Sequence, residues 1–251
     1  MDRSCLALYL NQLLKIEHFQ LKDYCPNGLQ VQGKSEINKI ATGVTASLEM
    51  LDKAIVWGAD AILVHHGYFW KNEAAVIVGQ KYKRLHKLLT SKTNLFAYHL
   101  PLDIHEDFGN NVQLANLLEL NLTNERFGEL NLGFMAELKC ELNAEQFSNR
   151  IELILQRKPL MLGDSNKALK RIAICTGAAQ GFFQAAIECG ADAFITGEVS
   201  EQTLHTAVEN DVVFYAAGHH ATERYGTKAL GEHIAAEFKL CHQFFDLPNP
   251  V

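Results

Sequence analysis

The chain has 251 residues, 48% of them apolar and 21% charged, with a formal net charge of −6 at pH 7. That length supports one large or two small domains with a real core, and the composition excludes a disordered or low-complexity chain. The acidic balance argues against a protein that coats nucleic acid through bulk electrostatics.

The first residues, MDRSCLALYLNQLLK, read as an amphipathic helix with Leu6, Leu10, Leu13 and Leu14 on one face, not as a signal peptide. No apolar run is long enough to cross a bilayer, so no membrane partner is expected. Cys5, Cys25, Cys140, Cys175, Cys189 and Cys241 form no CxxC pair. They fit the reduced thiols of a cytoplasmic protein. PNGLQVQG (26–33) reads as a turn and short strand. From Lys39 onward strand and helix signals alternate. KIATGV is a strand, SLEMLDKAIVWG a helix stopped by Gly58, DAILVHH a buried strand, KYKRLHKLLTSK a basic helix, NLFAYH a strand and NNVQLANLLEL a helix. The fold class is therefore α/β. NAEQFSNRIELILQ is a further helix and LGDSN a turn.

The second half repeats the first. KIATGVTASLEMLDKAIVWGADAILVHHG from Lys39 aligns with RIAICTGAAQGFFQAAIECGADAFITGEV from Arg171, at an offset of 132 residues. The next strand repeats at an offset of 120, where LFAYHLPLD and YAAGHHATE place His99 and Asp103 opposite His219 and Glu223. Two similar α/β units follow from this duplication. The expected boundaries are 1–124, completed by 225–251, for the first unit and 125–224 for the second.

Ligand sites of open α/β sheets lie beyond the carboxyl ends of strands. Four such ends carry His65 and His66, His99 through Asp103, Gly197 and Glu198, and His219 through Glu223. A metal site between the two units would gather these donors. His65 and His66 can share a site only if their strand ends there, since strand neighbours point to opposite faces. His219 and Glu223, four apart in a helix, share one face. Imidazole and carboxylate without thiolate suit Zn, Fe, Mn or Ni. The donors outnumber the three protein ligands of a simple catalytic zinc, which points to two divalent ions. Glu198, matched by the duplication to His66, and His99 are candidate catalytic groups beside the metals. The competing reading of Glu198 is a cap on the helix SEQTLHTAVEN. His18, His86, His105, His205, His233 and His242 read as surface or packing residues. TGAAQG (176–181) offers a weak anion cradle at a helix start. The basic face of Lys81, Lys83, Arg84 and Lys87 is read as solvated rather than as a nucleic-acid lining.

PNGLQVQG, GADAILVHHGYFW, YHLPLD, GADAFITGEVSEQ and AGHHATE resemble the signature blocks of the NIF-three-like proteins, also called GTP cyclohydrolase type-two homologues, in their short bacterial form. The resemblance runs over nearly the whole chain. It implies a dinuclear metal centre with ligands at His65, His66, Asp103, His219 and Glu223, and a ring-shaped homohexamer. It also implies a hydrolase that opens the ring of a purine nucleotide such as GTP. Nothing in the sequence reads guanine. A non-enzymatic metal-binding or delivery protein, or a ring-shaped scaffold that binds nucleic acid or a regulator, remains the alternative.

Overall fold

The computed structural model describes residues 1–19 and 22–251. The chain divides into two compact units, Met1–Phe108 with Gly226–Pro248, and Gly109–Tyr225 with Asn249–Val251.

The first unit contains helix α1 (Arg3–Leu13), strands β1 (Gly28–Val31) and β2 (Lys39–Thr45), helix α2 (Leu48–Trp57), strand β3 (Ala61–His66), helix α3 (Gly79–Ser91), strand β4 (Asn94–Ala97) and the short helix α4 (Leu100–Asp103). Asp2 caps α1 by accepting from the Ser4 and Cys5 amides, and Ser47 caps α2 through the Met50 amide. The second unit contains α5 (Asn110–Leu117), β5 (Leu120–Phe127), β6 (Gly133–Asn143), α6 (Ala144–Leu155), β7 (Leu160–Leu162), β8 (Ala168–Ile174), α7 (Phe183–Glu188), β9 (Ala193–Thr196), α8 (Thr203–Asn210) and β10 (Val213–Ala216). Helix α9 (His219–Phe238) begins in the second unit and ends in the first, where strand β11 (Cys241–Phe244) follows it.

In the first unit the strand order is β1-β4-β3-β2-β11, all neighbours parallel except β1. Its central strands β2, β3 and β4 are buried on both faces. Ala41, Ile62, Val64 and Leu95 pack with Met50, Leu51, Ala54, Leu85 and Leu88 of α2 and α3. The alternate residues Ile40, Ala61, Leu63 and Phe96 pack with Leu6, Leu10, Leu230 and Ile234 of α1 and α9. Two-sided cover explains why AILV is an unbroken apolar run. In the second unit the order is β5-β6-β8-β9-β10-β7. One face packs Ile172, Ile174, Ile195 and Tyr215 against Phe147 and Ile151 of α6. The other packs Ala173, Phe194 and Phe214 against Phe183 of α7 and Ala207 of α8.

The duplication is carried in strand register. Ile40, Ala41 and Thr42 pair with Ala61, Ile62 and Leu63, as Ile172, Ala173 and Ile174 pair with Ala193, Phe194 and Ile195. The shared Gly-Ala-Asp has a mechanical role in both. Asp60 Oδ2 accepts from the Asn38 and Lys39 amides at 2.9 and 3.0 Å; Asp192 Oδ2 accepts from the Lys170 and Arg171 amides at 2.9 and 2.8 Å. Each aspartate ties the entry of one central strand to the start of the next. The last strands refine the sequence alignment. Ala61 pairs with Asn94 and Ala193 with Val213, an offset of 119, whereas His99 and His219 stand 120 apart. The extra residue is Gly218, at φ +99°, a region that side chains disfavour. It sits between β10 and α9 and brings His219 back into step.

The expected boundary at residue 124 is corrected to 108. Leu114, Ala115, Leu118 and Leu120 of α5 and β5 are buried in the second unit's core with Ala136 and Ile172, so this stretch folds there. Strand β11 and the β5–β6 pair also lay outside the sequence reading. The basic side of α3 is engaged within its own unit: Lys87 pairs with Asp52, Lys81 with Glu73 at 3.5 Å, and Arg84 lies over the Tyr68 ring.

Asp60 supplies a pH-dependent test of the strand tie. Burial raises its carboxyl, but Lys34 at 2.6 Å and the two amides outweigh that and hold it below the ordinary value. A depressed folded value means stability that is full above the ordinary carboxylate range and lost as pH falls through the folded value. Asp60→Asn is expected to cost about 1–3 kcal/mol at neutral pH. Urea midpoints of variant and wild type should converge in strong acid; a gap that persists there would rule out the ionised carboxylate as its source.

Candidate metal centre

The first unit brings three imidazoles together. His65, the penultimate residue of β3, is fully buried, with Nδ1 3.0 Å from the Tyr98 carbonyl oxygen. A carbonyl only accepts, so Nδ1 carries the hydrogen and Nε2 the lone pair. That Nε2 lies 3.5 Å from Oδ1 of Asp103, the last residue of α4. His66 Nδ1 lies 3.2 Å from the Thr45 hydroxyl. Because β3 stops at His66, both rings gather at the strand end, their centroids 4.6 Å apart. His99 follows β4 at the neighbouring strand end, 5.1 Å from His65 and 5.8 Å from His66 by ring centroid. One ring nitrogen from each of the three lies within 4.8 Å of the others, a spacing that can hold a metal ion. Asp23, Cys25 and His99 form a second such group. Burial pushes the Cys25 thiol up to about 12, so it is no thiolate at neutral pH.

The second unit supplies an imidazole between two carboxylates. His219 Nδ1 lies 2.7 Å from Glu198 Oε1, and its Nε2 lies 3.1 Å from Glu223 Oε2 one turn along α9. Burial lowers the His219 value, but Glu223 and then Glu198 outweigh it and raise it to about 9. A site that draws a proton this firmly between two anions fits a cation. Gly177 makes room for the Glu223 carboxylate. At φ +71°, a Cβ there would stand 2.0 Å from Glu223 Oε1. Thr222 holds the glycine by accepting its amide at 3.1 Å while donating to the His219 carbonyl at 2.9 Å.

Each sequence-selected residue thus stands at a strand end or on the helix that follows it, within its own unit. His65, His66, His99 and Asp103 meet in the first; Glu198, His219 and Glu223 meet in the second. Glu198 is not a helix cap, because α8 begins at Thr203 with no side-chain cap and Glu198 bonds to His219 instead. The TGAAQG cradle is also corrected. The Gly177 amide is taken by Thr222 and the Ala179 amide by the Thr196 hydroxyl, and α7 starts only at Phe183. The sequence reading missed Asp23, which bonds His99, and Gly177. Asp23 lies in a loop with no periodic signal; Gly177 could have been suspected as a glycine closing a strand beside a site.

In metal-free protein, a nuclear magnetic resonance titration of His219 should give a midpoint near 9. Glu198→Gln should move that midpoint down, since one of the two raising carboxylates is gone. An unmoved midpoint would show that Glu198 does not act on the ring.

The Duf34/NIF3 (NGG1p interacting factor 3) family profile matches residues 1–250. The chain is 55% identical over 247 residues to a Yersinia pestis protein called GTP cyclohydrolase 1 type 2 homolog, covering 98% of each. Among solved structures it matches the protein ybgI, of unknown function, at TM-score 0.95 and 48% identity over all of both chains. It matches a Thermus thermophilus structure at TM-score 0.90 and 33% identity, again over all of both. With a duplicated α/β fold, donors at the strand ends and a family match from end to end, the chain belongs to the Duf34/NIF3 family.

Proposed function

We propose that the protein is a metal-dependent hydrolase whose two donor sets serve one dinuclear centre, with His65, His66 and Asp103 from the first unit and His219 and Glu223 from the second. The observation that carries this reading is the cation-seeking character of His219 between Glu198 and Glu223. Divalent ions held there would supply Lewis acidity, making water a stronger acid and neutralising charge that develops on a substrate oxygen. Glu223 is the proposed bridge, a buried carboxylate between two cations that would otherwise repel. Glu198, expected as a base, is better placed to orient His219 through Nδ1, because its other oxygen accepts from Gln180 at 3.4 Å. His99 is the remaining proton-handling candidate, held by Asp23 on one side with its ring against His65 and His66 on the other.

The proposed substrate is a purine nucleotide such as GTP, supported by the name its relatives carry. One water would add to the electrophilic ring carbon between two nitrogens and break one of its C–N bonds, leaving a formamide, and a second water would hydrolyse that formamide to an amine and formate. The proposed setting is the cytoplasm, supported by free cysteines and by the lack, among the described residues, of a helix able to cross a membrane.

Metal analysis of unchelated protein should approach two equivalents per chain, and incubation with GTP should release formate. Metal bound without turnover of GTP or other nucleotides would favour storage or delivery. Glu223→Ala should lose at least one ion and the activity while keeping its far-ultraviolet dichroism; retention of both ions would remove Glu223 as the bridge. Gly177→Ala should weaken metal binding through displacement of Glu223. The proposed homohexamer is read by light scattering, where a monomer mass near 28.1 kDa would overturn it.

A further inference from the structure

His99 is held by a carboxylate from outside the repeated strands. Asp23 lies between α1 and β1, only 2% exposed, and its two oxygens accept four hydrogen bonds. Oδ1 accepts from the Tyr24 amide at 2.6 Å and from His99 Nδ1 at 2.7 Å. Oδ2 accepts from the Asn27 side-chain amide at 2.7 Å and from the Leu100 amide at 3.1 Å. Asn27 also accepts from the His99 backbone amide at 2.7 Å, so the loop grips both ends of this residue. The Trp70 ring stands edge-on to the imidazole, 5.1 Å away at 83°, and limits its rotation.

A carboxylate enclosed by donors can only accept. Nδ1 of neutral His99 therefore carries the hydrogen, and the lone pair resides on Nε2. We propose that Asp23 is a positioning residue, fixing His99 as the Nδ1–H tautomer so that the ring presents an acceptor beside His65 and His66. The matching residue of the second unit, His219, is held by Glu198 at the same 2.7 Å, but from the end of β9. Unrelated segments thus supply one contact to equivalent imidazoles. With this tautomer the His99 edge of the site selects a group that offers a hydrogen, such as a water, a hydroxyl or a ring N–H. The reversed tautomer would offer a donor there, which a water or hydroxyl could still accept but which would oppose a ring N–H. This catalytic consequence rests on the hydrolase reading; the tautomer does not.

The test uses full-length, metal-free protein with ¹⁵N-labelled histidine at about pH 8, above the ordinary imidazole range. Two-bond proton–nitrogen correlations report which ring nitrogen is protonated, and His99→Asn assigns the signal. Wild-type His99 should have Nδ1 protonated and Nε2 bare. Nε2–H in the wild type would overturn the proposal, whether or not any Asp23 variant folds. Asp23→Asn places an amide among four donors and should lose the pure Nδ1–H pattern, while His65, bonded to a backbone carbonyl, keeps its own. An unchanged His99 pattern in that variant would also overturn it. On a turned-over nucleotide, Asp23→Asn should lower kcat about 10- to 100-fold with little change in KM and with both metal equivalents retained. Equal kcat in variant and wild type would remove the catalytic consequence. If the metal-loaded wild type hydrolyses no nucleotide, the hydrolase reading fails and the tautomer result stands by itself.

Discussion

Four imidazoles at the strand ends are each gripped by Nδ1. His65 bonds to the Tyr98 carbonyl, His66 to the Thr45 hydroxyl, His99 to Asp23 and His219 to Glu198. An imidazole has two nitrogens, and which one is available for a metal or a proton depends on what the other is bonded to. Anchoring at Nδ1 fixes ring orientation and leaves Nε2 as the working atom. The anchors differ in strength. The carbonyl and hydroxyl orient their rings, whereas Glu198, together with Glu223, also favours positive charge on His219. Much of the local architecture serves these contacts: the loop carrying Asp23, the turn that exposes the Tyr98 carbonyl, and the end of β9 that delivers Glu198.

A parallel sheet is well suited to this task. Its strands all end on the same side, so loops leaving neighbouring strands place their first residues close together. The two aspartates of the repeated Gly-Ala-Asp fix the other side by tying strand entries together. With the entries fixed and the registers equal, the exits are fixed as well. Adding one residue at Gly218 shows how little freedom remains. The second copy departs from the first by a single position after β10, and it does so at a left-handed glycine, where the backbone can absorb it.

The repeated core was legible in the sequence because two-sided burial writes itself as apolar runs, and because paired sequences reinforce each other's signal. The donors were legible for the same reason, since they stand where those runs stop. The regions that escaped notice lack these signals. Strand β11 alternates half-buried and exposed residues and pairs on one side only, with β2. Strands β5 and β6 are antiparallel, with polar residues such as Asn121, Glu125 and Lys139 that mask their strand character. Asp23 escaped because its role depends on a contact 76 residues distant in sequence. Glu198 was found, but its bond to His219 was not: the duplication could give its place at a strand end but not the direction of its side chain.

The carboxylates around His219 bear on how a cation would be exchanged. In the metal-free protein the ring is protonated at neutral pH, a positive charge between Glu198 and Glu223. A metal of the proposed centre arriving at Nε2 would have to displace that proton, so its binding would be coupled to proton release and would weaken as the medium becomes more acidic. The imidazolium also keeps two anions from repelling each other when no metal is bound. The proton would then be a placeholder that keeps these side chains in register for the proposed ion. Glu198 sits on the Nδ1 side and loses nothing in the exchange, because Nδ1–H remains its donor in both states. Only the Nε2 side would change partner, from a proton shared with Glu223 to the proposed metal.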